Sequence, residues 1–123
     1  MEILFEKGIP GFEDYKYFNV NIIKDNEKFY SIVSKEDCNI GFISISPFEV
    51  NKDYEIDLDD KFIKELDIKD EKDVLVLCII TLGKTLKDST ANLKAPIIIN
   101  IKNNRGKQLI LQDDKYKIKQ PLE

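Results

Sequence analysis

The sequence predicts a mostly β domain, a small antiparallel β-barrel or a strongly curved sheet, with one short helix. Three observations carry that expectation. Apolar runs are short and rich in Ile, Val, Phe and Tyr, side chains that suit a pleated, half-buried surface. Between them lie Gly8-Ile9-Pro10-Gly11, Asp25-Asn26, Asn103-Asn104-Arg105-Gly106 and Asp113-Asp114, whose residues accept turn dihedrals. One stretch alone, residues 59–67, spaces Phe62, Ile63 and Leu66 as a helix face does.

Along the chain, strands are expected at residues 2–6, 15–21, 28–34, 40–46, 54–57, 74–82, 92–101 and 108–112, with a short further one near Lys117. Alternation over residues 17–22 and 42–46 makes those two half-exposed. Residues 74–82 and 95–101 are nearly continuous apolar runs. They should be central, covered on both faces or curving inside a closed sheet, with Leu77 and Ile98 in the core. The helix takes its cap from Asp57, Asp59 or Asp60 and is too short to stand without packing on the sheet. Ser46-Pro47-Phe48 ends a strand and leaves Phe48 exposed at a sheet margin. Pro96 removes a ladder donor and so belongs at an edge, a bulge or a strand start.

Composition bounds the chemistry. With 123 residues, 42% of them hydrophobic, the chain forms one domain over residues 1–123 and can bury a self-sufficient core. It has no His, which removes the usual neutral-pH general base, the Ser-His-Asp and Cys-His triads and the commonest zinc ligand. The two cysteines, Cys38 and Cys78, lie too far apart in sequence for a CxxC motif. Cys78 reads as a small buried apolar residue and Cys38 as an exposed loop thiol, which favours a reducing compartment. No signal peptide or membrane span is apparent, so a cytoplasmic monomer is expected.

The net charge is −4 and a single arginine, Arg105, stands among the 19 basic residues. An acidic, arginine-poor surface suits neither phosphate neutralisation nor base-edge recognition, so no direct nucleic-acid contact is expected. Charge is also uneven: over residues 53–73, ten acids face four lysines, leaving six negative charges in excess. Such a run is either a solvated helix face or a docking patch for a basic partner. Gly83-Lys84-Thr85 imitates the end of a phosphate loop, but Cys78 stands where its first glycine is required. Asp59-Asp60 and Asp113-Asp114 lack the glycine and closing glutamate of a calcium loop. No cofactor, metal or catalytic set is expected.

Five segments occur in one order: Gly8-Ile9-Pro10-Gly11-Phe12, Ser46-Pro47-Phe48, the strand opening at Asp73, Asn92-Leu93-Lys94-Ala95-Pro96, and Gly106-Lys107-Gln108. Across nearly the whole chain this set resembles the FliW family of bacterial flagellar assembly factors. The resemblance implies a barrel-like β-fold without enzymatic activity that binds newly made flagellin in the cytoplasm. It also implies allosteric antagonism of CsrA, the dimeric RNA-binding repressor of flagellin translation, so that flagellin synthesis follows flagellar assembly. The motif positions are Gly8, Ile9, Pro10, Gly11, Phe12, Ser46, Pro47, Asn92, Ala95, Pro96, Gly106 and Gln108, of which Gly8, Pro10, Gly11 and Pro96 are expected mainly to shape backbone. Asp57, Asp59, Asp60, Glu65, Asp67, Asp70 and Glu71 are the candidates for a basic CsrA surface. Phe48 and Tyr54 are those for an apolar flagellin segment. Two other readings compete. A small-barrel single-stranded RNA binder would stack bases on Phe29, Tyr30 and Phe42, and a small enzyme would need convergent Asp or Lys groups in a pocket.

Overall fold

The computed structural model describes residues 1–112 and 114–122; Asp113, half of the expected 113–114 turn, and Glu123 lie outside the described residues. Among the described residues nine strands form: β1 Glu2–Leu4, β2 Tyr17–Ile22, β3 Phe29–Ser34, β4 Gly41–Ile45, β5 Val74–Thr81, β6 Thr90–Ala91, β7 Ile97–Asn100, β8 Arg105–Gln108 and β9 Gln120–Pro121. Two short helices, α1 Pro47–Val50 and α2 Asp60–Glu65, lie between β4 and β5. The sheet runs β4-β3-β2-β1-β8-β7-β5, and β5 pairs back onto β4, closing a seven-stranded barrel. Neighbours are antiparallel except β1 and β8, which meet in parallel at Leu4 and Arg105. β6 and β9 extend the end of β5 outward.

Why residues 74–82 are almost wholly apolar follows from β5's position. Val74–Leu77 pair with β7 and Cys78–Ile80 with β4, so the strand is enclosed along its length. Leu77, with Leu75 and Ile79 beside it, enters the barrel interior against Ile3, Phe5, Phe18, Val20, Ile32, Ile97 and Ile99. The alternate side chains face out: Cys78 and Ile80 are buried, while Val74 and Val76 are half-buried. Cys78 and Ile80 join Ile45, Tyr54, Ala91, Leu93 and Tyr116 in a second cluster, and Val74 and Val76 pack with Ile98 beneath Phe62 and Leu66 of α2. A strand with apolar packing on both faces needs no alternation. Leu77 and Ile98 are fully buried, as expected.

The helix expected over residues 59–67 appears as α2. Asp59 caps it, its Oδ1 accepting from the Phe62 amide at 2.8 Å. Asn100, buried in β7, donates Nδ2 to the carbonyls of Leu66 and Asp67 at the other end. Five expectations change. Residues 54–57 form no strand: Tyr54 is buried and no neighbouring strand pairs with the segment. A second helix, α1, starts at Pro47, because proline's fixed φ and missing donor are tolerated in a first turn. Residues 92–95 are a turn in which Asn92 Oδ1 accepts from the Lys94 and Ala95 amides, so the strand begins after Pro96. The last strands shift to Arg105–Gln108 and Gln120–Pro121. β2 is half-exposed as its alternation implies, but β4 is not, since Ile45 is covered by the second cluster and Ser44 is buried, donating Oγ to the Tyr30 carbonyl.

Candidate functional site

The motif positions are spent on the barrel. Gly8 and Gly11 hold φ of 68° and 89°, left-handed values that a side chain disfavours. Between them Ile9 drops into the core, and Phe12 stacks edge-on to Phe42 at 5.1 Å. Ser46 precedes α1, and Pro47 is its buried first residue. Gln108 Nε2 donates to the Ala95 carbonyl at 2.9 Å, and the Pro96 carbonyl accepts from the Leu109 amide, tying the turn before β7 to the end of β8. Gly106 lies against the Phe5 ring.

The seven acidic candidates divide. Asp59 is committed to the α2 cap. Glu65 is half-buried rather than solvent-facing: its carboxylate pairs with Lys107 and with Lys7 at 3.6 Å, and the Lys107 hydrogen bond holds it below the ordinary carboxylate range. Asp67, at φ 52°, pairs with Lys69 at 3.0 Å. Asp70 accepts from the Lys72 amide and pairs with its Nζ at 3.6 Å. Asp57, Asp60 and Glu71 are exposed, and among the described residues no cation is paired with them.

Phe48 and Tyr54 also part company. Phe48 is 47% exposed at the start of α1. Tyr54 is 3% exposed, which corrects its expected place as a surface anchor. Its hydroxyl donates to the Leu93 carbonyl at 2.7 Å, its ring packs on Tyr116 at 4.5 Å, and burial raises its pKa. Tyr54 meets the Phe48 ring edge-on at 5.7 Å. The Cys78 thiol beneath them is pushed up to about 12 by burial, an inert apolar filler, while Cys38 is exposed.

Of the candidate residues, Phe48, Asp57, Asp70 and Glu71 line one groove of about 660 Å³. Its apolar lining comes from Val74 and Val76 of β5, Ile63 of α2, and Phe48, Ile56, Leu58 and Ile68. Asp57, Asp70 and Glu71 stand on the rim with Lys69 and Lys72. The apolar lining was hidden from sequence reasoning because it depends on which face of β5 α2 leaves uncovered. Ile63, placed with Phe62 and Leu66 on one face, in fact borders the groove while those two are buried. Phe29, Tyr30 and Phe42 are half-buried and packed on the two larger clusters, so none is a free stacking platform. Gly83 donates its amide to Ser89 Oγ and is followed by a 3-10 turn, not by the helix of a phosphate loop.

Comparison with known proteins gives a consistent result. A family model described as FliW protein matches residues 1–122. A flagellar assembly factor FliW of Clostridium novyi (strain NT) is 54% identical over 120 residues, spanning 98% of this chain and 84% of that one. Its counterpart in Clostridioides difficile (strain 630) is 47% identical over 122 residues, with 99% and 94% covered. Among solved structures, a crystal structure of the flagellar assembly factor FliW superposes with a TM-score of 0.92 at 40% identity, over 98% of this chain and 84% of that one.

Proposed function

This chain belongs to the FliW family, and we propose that, as a flagellar assembly factor, it binds flagellin in the cytoplasm and antagonises the translational repressor CsrA. The observation that carries the reading is the family match over residues 1–122. The geometry supports it in two ways. Most of the motif residues shape turns and packing around a closed barrel, which leaves the outer surface free for partners. That surface includes an exposed apolar groove with carboxylates on its rim, a combination suited to protein association rather than to chemistry on a small substrate. Among the described residues, no helix is long and apolar enough to cross a membrane, and no group of three or more His, Cys, Asp or Glu could hold a metal ion.

Exchange between partners links synthesis to assembly. While flagellin accumulates it occupies this protein and CsrA represses; once flagellin is exported, the freed protein captures CsrA away from its RNA site and translation resumes. Adding purified flagellin to a preformed complex with CsrA should therefore release CsrA, as read by size-exclusion chromatography. Both partners remaining bound together with unchanged affinities would refute the exchange.

A further inference from the structure

We infer that the barrel mouth bounded by Met1, Ile22 and Ile101 is a second docking surface, shaped for an acidic amphipathic peptide segment. The segment's apolar side chains enter the hollow and its carboxylates meet the amines around it. This surface lies beside the acidic groove, with Lys72 and Val74 bordering both. It has the opposite sign and stands independently of the reading above.

Three observations lead to this occupant. Alternate residues of a strand share a face, and in three strands the inward-facing apolar series runs one step past the packed interior. Ile3, Val20 and Ile99 are buried in the main cluster; two residues away Met1, Ile22 and Ile101 are 42%, 54% and 45% exposed. Together they border an open hollow of about 580 Å³ that ends on Val20, Tyr30 and Leu75. Covering such a cluster is favourable in proportion to the apolar area removed from solvent. The hollow also has a sign. The Met1 α-amino group, held by the Val20 carbonyl and Asn21 Oδ1 at 3.0 Å each, and Lys72 both border it, and no carboxylate among the described residues does. Lys72 is already paired with Asp70, but Lys24 and Lys102, which follow Ile22 and Ile101 in the chain, are exposed and in no ion pair among the described residues. In an acidic protein this is a local cationic margin, suited to carboxylates from outside. Finally, the strands around the mouth are paired into the closed barrel, so no edge there is open to an added strand. Side chains must do the recognising, which suits a helix with apolar residues at i, i+3, i+4 and i+7. A flat bilayer would leave the concavity unfilled.

The test uses the whole chain and two labelled 18-residue helical peptides, one with leucines on one face and glutamates elsewhere, the other with the glutamates replaced by glutamines. Fluorescence anisotropy at low salt should show the glutamate peptide binding at least about fivefold more tightly, an advantage that shrinks as salt rises. The double changes Ile22→Ala, Ile101→Ala and Lys24→Glu, Lys102→Glu should each weaken it by about tenfold. Ile118→Ala, at an exposed apolar residue that borders neither the mouth nor the groove, should not. All five altered side chains are exposed, so circular dichroism should confirm that the fold survives. Equal binding of the two peptides, or indifference to both double changes, would overturn the inference. Two other occupants would overturn it as well, and the same variants identify them. Binding to phosphatidylglycerol vesicles that is lost in Ile22→Ala, Ile101→Ala, without peptide binding, would make the mouth a lipid contact. Self-association in sedimentation that is lost in that variant, again without peptide binding, would make it an interface between copies of this chain.

Discussion

Gly106 shows what a motif glycine can be for when its backbone is ordinary. It sits in β8 without a positive φ; its constraint is space. A Cβ there would lie 2.6 Å from Cε1 of Phe5, 2.9 Å from Cζ and 3.1 Å from Cγ2 of Ile3. Phe5 and Ile3 are fully buried, and the Phe5 ring is pinned edge-on against Phe18 at 5.5 Å, so neither can swing away. Gly106→Ala should therefore cost about 1–3 kcal/mol through overpacking. Leu77→Ala and Ile98→Ala act the opposite way, emptying space in closed clusters, and should cost roughly 2–5 kcal/mol each. Denaturant melts of the three variants check both claims. A loss below about 1 kcal/mol for Leu77→Ala would place the core elsewhere, and a neutral Gly106→Ala would mean that the Phe5 ring has room to move. That Leu77 and Ile98 are core was legible, because a continuous apolar run has no polar face to offer solvent. The steric demand at Gly106 was not, because it comes from Phe5, just past β1 at the other end of the chain.

At the scale of elements, α2 is an attached strap whose ends and middle are all tied to the barrel. Asp59 closes its first turn, and Asn100 and Asn103 donate Nδ2 to the carbonyl of Leu66, the residue that ends it. Phe62 and Leu66 pack on Ile98, and Glu65 spans from Lys7, just past β1, to Lys107 of β8. That last link crosses the seam where β1 and β8 meet through one residue pair, beside a cavity of about 230 Å³. Since pairing keeps the Glu65 carboxyl below its ordinary value of 4.5, its stabilisation is fully present above that pH. It is lost as pH falls toward the lower folded value. The difference in melting temperature between the native protein and Glu65→Gln should be open at pH 7 and narrow below about pH 4. A constant gap across that range would show that Glu65 contributes by packing and not by charge. α2 was legible because capping and helical spacing are local signals. Residues 54–57 misled for the same reason: Tyr-Glu-Ile-Asp alternates as a strand does, yet pairing needs a neighbour, and here Tyr54 and Ile56 pack on clusters outside the barrel instead. Residues 47–50 gave no helical period to read, being a single turn begun by a proline.

The whole molecule is electrically lopsided, and this decides how it should meet a basic partner before any contact forms. Residues 53–73 carry six excess negative charges while the rest of the chain carries two excess positive ones. The acidic character was visible in the sequence, but which acids are available was not. Asp59 and Glu65 turn out to hold α2 in place, so reversing them would confound recognition with folding. The informative set is Asp57, Asp60 and Glu71, exposed and without a paired cation among the described residues. Acting together over several ångströms, these carboxylates should steer a basic CsrA surface toward the α2 side of the barrel. Screening beyond a Debye length of about 10 Å at 0.1 M salt should then slow association as salt rises. Replacing all three with lysine should lower the CsrA association rate and flatten its salt dependence, with the melting temperature preserved. Flagellin association should change less, because seating an apolar segment depends on buried area more than on net charge. Stopped-flow measurements of both partners at low and moderate salt make the comparison. An unaltered CsrA rate in the triple variant would reduce the acidic segment to a solvated surface whose role ends with keeping the protein apart from its own copies.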